Sequence, residues 1–232
     1  MRYSIVKVDI TPSEDYLLAG FGVRSRVKAN FGTRKLSLSL VRLKSARNDT
    51  VWVSMDTLYF PLKVSEFISY ELLSLFSISS HNVLFNATHT HAAPNLAGDI
   101  FGDFNTQYLL FVQEQILAQL HKLSDLCDCT VNFWEAELPD GLVINRRRVL
   151  KGVLSSILRR KVVMQPNYAD NKRLPLYGID IVGDDGSRIL LYSFSCHPTF
   201  VSNMAISADF PGYISSILEE TKYTNAIFFQ GF

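Results

Sequence analysis

The sequence predicts an α+β fold, mixed β-sheets covered by helices, on three observations. Of 232 residues, 47% are hydrophobic and 19% charged, enough apolar material for a sizeable core. Segments that alternate at the two-residue period of strands outnumber those with the three- and four-residue spacing of helices. Hairpin signals are interspersed with helical crossovers, and the pattern does not resolve into eight alternating βα units.

The N-terminus, Met1 to Asp9, alternates like a strand. It has no apolar stretch or small-residue cleavage site of a signal peptide. Lys35 to Leu43 alternates strictly, and Thr50 to Met55 is a β-branched, apolar run that fits a buried strand. Val64 to Ile78 fits an amphipathic helix with Phe67, Ile68, Leu72 and Leu75 on one face. Asn82 to Ala87 reads as a short strand. Tyr108 to Leu123 is the strongest helix, with Leu109, Val112, Ile116, Leu120 and Leu123 at three- and four-residue steps. Thr130 to Ala136, Tyr177 to Val182 and Arg188 to Ser195 are strands, the last two joined by the turn Gly183-Asp184-Asp185-Gly186. Pro211 to Glu220 is a helix begun by Asp209 with Pro211 in its first turn, and Ala226 to Phe229 is a final buried strand.

No repeat or Pro/Gly/Ser-rich linker divides residues 1–232, so one domain is expected. The sequence stops on Phe228-Phe229-Gln230-Gly231-Phe232, an apolar strand followed by Gly-Phe. The expectation is that this domain is incomplete at its C-terminus, either because the polypeptide is cut short or because its partner segment lies elsewhere. A net charge of +1 supplies no global field toward nucleic acid or an acidic membrane surface. No apolar run reaches the length of a transmembrane helix, roughly eighteen residues or more. A cytoplasmic location follows, or a secreted or periplasmic one if a leader has been removed. The odd cysteine count, Cys127, Cys129 and Cys196, argues against a disulfide framework, and one C-x-C pair is too little for a structural zinc site.

Two of the five histidines lie in Thr88-His89-Thr90-His91, directly after the apolar run Val83-Leu84-Phe85. Residues i and i+2 of an extended segment point to the same side, so His89 and His91 can face one ion or one substrate. An H-x-H pair alone is also compatible with two solvated rings. His197 likewise follows an apolar strand, Ile189 to Ser195, and precedes Pro198. Two strand ends that each carry histidine can converge on one ion if the strands share a sheet. Neutral imidazole is a common zinc ligand, and a catalytic site needs about three protein ligands and an open position. Asp209 can orient an imidazole, bind a substrate group or simply cap its helix. Asp56, at the end of a strand, is either a supporting carboxylate or a turn residue. His81 reads as a surface turn residue and His121 as an exposed helical one. In Asn145-Arg146-Arg147-Arg148 successive side chains diverge, so one or two can enter a site, where guanidinium would grip a carboxylate or polar head group. Otherwise Arg159, Arg160 and Lys161 only extend a solvated basic face, and the lack of interleaved aromatics argues against nucleic-acid binding.

Taken in order, these segments resemble the neutral/alkaline, non-lysosomal ceramidase family in its N-terminal catalytic domain, in a form closest to its shorter bacterial relatives. The resemblance rests on Thr88 to Pro94, Ile144-Asn145-Arg146, Ser195-Cys196-His197-Pro198-Thr199, Ser207 to Tyr213 and Phe229-Gln230-Gly231. It implies a zinc-dependent amidase acting on an N-acyl lipid or a related amide. It implies His89 and His197 as zinc ligands, His91 and Arg146 facing the substrate, and a glutamate and a tyrosine from further along the family's domain as the remaining ligands. Asn145, Asp56 and Asp209 are candidates for supporting or substrate contacts. Two alternatives stand beside it. Amidohydrolases also use an H-x-H pair, but they need a barrel, more histidines and a late aspartate. A catalytically inactive remnant or binding domain would fit the missing downstream ligands.

Overall fold

The computed structural model describes residues 1–13, 16–20, 28–29, 35–96, 105–149, 162–167, 173–201 and 203–231. Arg159, Arg160 and Lys161 lie outside them. The elements are β1 (Arg2–Asp9), β2 (Tyr16–Leu17), β3 (Lys28–Ala29), β4 (Ser37–Lys44), β5 (Asp49–Met55), α1 (Leu62–Phe76), β6 (Val83–Ala87), α2 (Thr106–Leu120), β7 (Cys127–Glu137), β8 (Arg147–Val149), β9 (Val162–Met164), β10 (Pro175–Gly183), β11 (Arg188–Phe194), α3 (Asp209–Thr221) and β12 (Asn225–Gln230). None of the described helices is long and apolar enough to cross a membrane.

Eight strands form one hydrogen-bonded order, β12-β11-β10-β7-β1-β4-β5-β6. All pairings are antiparallel except the terminal pairs, β5–β6 and β11–β12, which are parallel. Each parallel pair is joined by a helix, α1 in the first and α3 in the second, because parallel neighbours need a long crossover. The join between halves is short, only Arg2 opposite Asp128 and Tyr3 opposite Cys127, and there the sheet folds back on itself. Strand alternation then sorts the side chains into layers. Val41, Leu43 and Trp52 of the first half meet Ile181, Leu191, Ile227 and Phe229 of the second in one apolar layer. Trp52 and Phe229 pack edge to face at 6.0 Å. On the outer face of the first half, Leu38, Leu40, Val53 and Met55 bury against α1 and α2. On the outer face of the second, Tyr192, Phe194 and Phe228 pack with Phe210, Ile214 and Leu218 of α3. The result is the mixed α+β arrangement the alternation predicts, in four layers.

Helix α1 buries a stripe at four-residue steps, Val64, Ile68 and Leu72, each worth about 1.5–3 kcal/mol of apolar burial. Phe76 continues the stripe and Phe67 flanks it, while Leu75, expected on this face, is turned to solvent. Ser77 ends the helix in the left-handed conformation. Its N–H bonds the Leu73 carbonyl and the N–H of the buried Ile78 bonds the Leu72 carbonyl, so the left-handed residue satisfies carbonyls of the last turn. α2 ends three residues earlier than its periodicity suggests and tightens into a 3₁₀ turn, His121–Ser124. Arg147 and Arg148 sit on a short hairpin of β8 with β9.

The topology has one consequence for chemistry. Both parallel pairs point their carboxyl ends to the same place, where Gln230 N donates to Asn86 Oδ1 across the seam at 3.1 Å. Asn86 also donates to Ser54 Oγ at 3.0 Å, and Ser54 Oγ donates to Phe228 O at 2.7 Å. Crevices at the carboxyl ends of parallel strands are where open α/β sheets bind ligands.

Candidate metal centre

Two of the loops that leave these strand ends carry histidine. The first, 88–95 after β6, carries His89 and His91; the second, 195–201 after β11, carries His197. Their ring centroids lie 4.7–5.2 Å apart, and one ligating nitrogen from each falls within 4.8 Å of the others. His91 and His197 are closest, Nε2 to Nε2 at 2.8 Å. His89 and His91 are half-buried and His197 is exposed.

The expectation that His89 and His91 point together because their segment is extended has the right outcome and a different cause. The strand stops at Ala87, and His89 has a φ of 66°, a left-handed conformation rare for a side chain of this size. The ring is held there by its Nδ1, 2.7 Å from the carbonyl of Leu58. A carbonyl only accepts, so Nδ1 carries the proton and Nε2 keeps its lone pair, the tautomer a metal ligand needs. Thr88 and Thr90, which alternate with the histidines, face the other way and are buried. Thr88 donates to Asp56 Oδ1 at 3.0 Å, and Thr90 donates to the carbonyl of Ser207 at 2.8 Å. With Ser207 N on Ala92 O, the Thr90 bond ties the first histidine loop to the segment before α3, and His91 N on Pro198 O joins it to the second loop.

Asp56 is wholly enclosed, and its Oδ2 accepts from both the N–H and the hydroxyl of Ser37. It faces a cavity of about 480 Å³ between the halves, which also receives Lys7, Ser37 and Glu219. Burial outweighs those donated bonds and pushes its carboxyl up to about 6. Asp209 is buried too. It is the first residue of α3, at a φ of 56°, with Oδ1 accepting from Phe210 N and Oδ2 from Val201 N in the His197 loop. Its carboxylate therefore ties that loop to the helix start, more than a cap does. Desolvation, with the charges of His89, Arg146 and Arg147, lowers the His197 pKa below the ordinary histidine value, and Asp209 opposes this. A neutral imidazole is again the ligating form.

Arg146 is exposed, and its Nη1 donates to Thr199 Oγ1 at 3.2 Å, beside His197. Asn145 lines a cleft of about 570 Å³ together with His89, His197 and Gln230, and Val143, Ile144 and Leu174 form an apolar wall. Its Oδ1 accepts from Arg147 N. His81 lies in an exposed turn and His121 in the exposed 3₁₀ turn, both away from the cluster. The three cysteines are free thiols. Sequence reasoning missed the Leu58 carbonyl, which no side chain announces, and Asn86, whose position on a strand carried no signal. The buried pair Thr88 and Thr90 was visible in the same alternation that singled out the histidines.

Three imidazoles with nitrogens this close, one with its Nδ1 committed to a carbonyl, fit a zinc ion, whose bonds to histidine are about 2.0–2.1 Å. Both loops are fastened to buried groups, so the donors are held in advance.

No family model matches the chain, and no curated protein matches it. Among solved structures, the neutral ceramidase from Pseudomonas aeruginosa is similar over 99% of this chain and 38% of its own, with a TM-score of 0.72 and 19% identity. A ceramidase complexed with C2 is similar over 99% of this chain and 37% of its own, with a TM-score of 0.70 and 19% identity. The chain has the fold of neutral ceramidase and spans a little over a third of that enzyme's length.

Proposed function

We propose that this chain carries the histidine half of a zinc-dependent hydrolase acting on the amide bond of an N-acyl lipid, as in the cleavage of ceramide to sphingoid base and fatty acid. Residues 1–232 are taken as one catalytic-type unit. The observation that carries the reading is the convergence of His89, His91 and His197 from two halves of the sheet at the carboxyl ends of its parallel strands. The likeness to neutral ceramidase supports the choice of chemistry.

In this reading His89 and His197 would hold the zinc, with Leu58 and the Asp209-tethered loop fixing their directions. Zinc supplies Lewis acidity toward water and an acyl carbonyl. His91 and Arg146 stand beside the pair and donate hydrogen bonds to the oxygen that gains charge as the carbonyl is attacked. Asn145 borders the same cleft, and the wall of Val143, Ile144 and Leu174 takes the first carbons of an acyl chain. The amide C–N bond then breaks to a carboxylic acid and an amine.

The test is zinc content of the purified chain with His89→Ala and His197→Ala, followed by hydrolysis of N-acyl sphingosine and of simple N-acyl amides. Loss of zinc in both variants is expected, and retention in both sinks the metal assignment. A second reading, a binding piece without turnover, is favoured by one observation: among the described residues no carboxylate joins the three histidines. Zinc uptake with no amide cleavage would select it.

A further inference from the structure

We infer that Gly20 is a positioning residue for His91: the absence of a side chain there is what leaves the imidazole its place beside His197. The inference rests on the proposed metal site and adds a residue that neither the histidine motifs nor the fold assigns.

The segment before residue 21 lies along the first histidine loop as a short strap. Asn95 N bonds Leu17 O at 3.0 Å, Leu18 pairs with Pro94, and Ala19 N bonds Ala93 O at 3.1 Å. The strap is anchored at its base, where Leu18 is fully buried and Tyr16 packs on Tyr108 at 5.4 Å. It thus reaches the site as a fixed wall. At its end Gly20 turns with a φ of 99°, which a residue with a side chain rarely adopts.

A Cβ on Gly20 would lie 2.4 Å from His91 Nδ1, 2.8 Å from Cγ and 3.2 Å from Cβ. The base of the side chain is touched as well as the ring, so no simple ring rotation relieves the contact. The His91 backbone is held on its other side, with N–H on Pro198 O at 3.4 Å and Ala92 N on Thr90 Oγ1 at 3.2 Å. The imidazole would be driven away from the strap, toward the nitrogens it now faces on His197. Gly20 therefore sets how closely His91 approaches the ligand pair, with no contact of its own to metal or substrate.

A double-mutant cycle tests this, using Gly20→Ala, His91→Ala, the double variant, and Gly186→Ala as a control for backbone strain. Gly186 has a φ of 84° with nothing within 4 Å of a would-be Cβ. The readouts are Co(II) affinity from its visible spectrum and the melting temperature of the metal-free chain. Gly20→Ala is expected to weaken Co(II) binding at least tenfold with His91 present and less than twofold without it. Its melting temperature should fall further than that of Gly186→Ala, and the excess should vanish in the double variant. If Gly20→Ala does not fold, recovery of folding in the double variant is the supporting result and its absence the overturning one. Equal effects in both backgrounds would overturn the inference. If the unaltered chain takes up no Co(II), the metal reading fails by itself, and the metal-free melting cycle still decides the role of Gly20.

Discussion

Asp56→Asn should remove the pH dependence that one enclosed carboxyl imposes on this fold. Asp56 titrates near 6 in the folded chain against 3.8 as a free side chain, a gap of about 2 units. At about 1.36 kcal/mol per unit, the gap is worth roughly 3 kcal/mol. The sign follows from proton counting. Between the two values the folded chain holds a proton that the unfolded chain has released, so stability falls as pH rises through that window. The contribution is fully present below 3.8 and gone above about 6. An asparagine keeps an acceptor for Ser37 and presents its amide to the Thr88 hydroxyl, without the buried charge. Urea unfolding of both proteins from pH 4 to 8 gives the assay, read as the stability difference between them, which cancels the other titrating groups. Because pH 4 already lies above 3.8, the unaltered chain should lose about 2.4 of those roughly 3 kcal/mol relative to Asp56→Asn across that range. Parallel curves would refute the reasoning and mean that the Ser37 and Thr88 bonds fully offset burial.

Three further outcomes are expected. Asn86→Ala unties Gln230 N and Ser54 Oγ at the seam and should cost about 1–3 kcal/mol by denaturant unfolding. Asp49→Asn leaves Arg42, nearly buried and gripped through both Nε and Nη2, without its charge partner, and should cost roughly 3–5 kcal/mol. Arg42 holds the Asp49 carboxyl below its usual range, so this contribution is present above the ordinary carboxylate pKa and fades as pH falls through the depressed one. Zinc at about a hundred times its Kd should stabilise the fold by about 2.7 kcal/mol, a melting shift of roughly 5–11 °C, and His89→Ala should abolish the shift.

Much of this architecture is written locally. The β-branched run at β5, the alternation of β4 and the spacing of α2 each specify their element without help from distant contacts. So does the placement of each histidine after a strand. What alternation cannot convey is which strands become neighbours. The two histidine-bearing strands do share one sheet, as convergence of their ends requires, but they are not neighbours in it. β6 is the terminal strand at one end of the order, and β11 lies next to the terminal strand at the other. They meet because the sheet doubles over at the short β1–β7 join, a consequence of hydrophobic faces on both halves. Leu75 shows the same limit on a smaller scale. It satisfies helical spacing, yet the stripe at 64, 68 and 72 fixes the rotation of α1 and leaves it outside.

The doubled sheet also makes the histidine cluster a clock. His91 and His197 are 106 positions apart in the chain, and each comes from a different half. Joining ends so distant in a disordered polymer costs about 4 kcal/mol of closure entropy, so a denatured chain would grip an ion through both about a thousandfold more weakly. An ion shared across the seam would be released whenever the halves part, even while each half keeps its own strands and helix. The rate at which a chelator strips that ion would then count seam openings, an event far smaller than global unfolding.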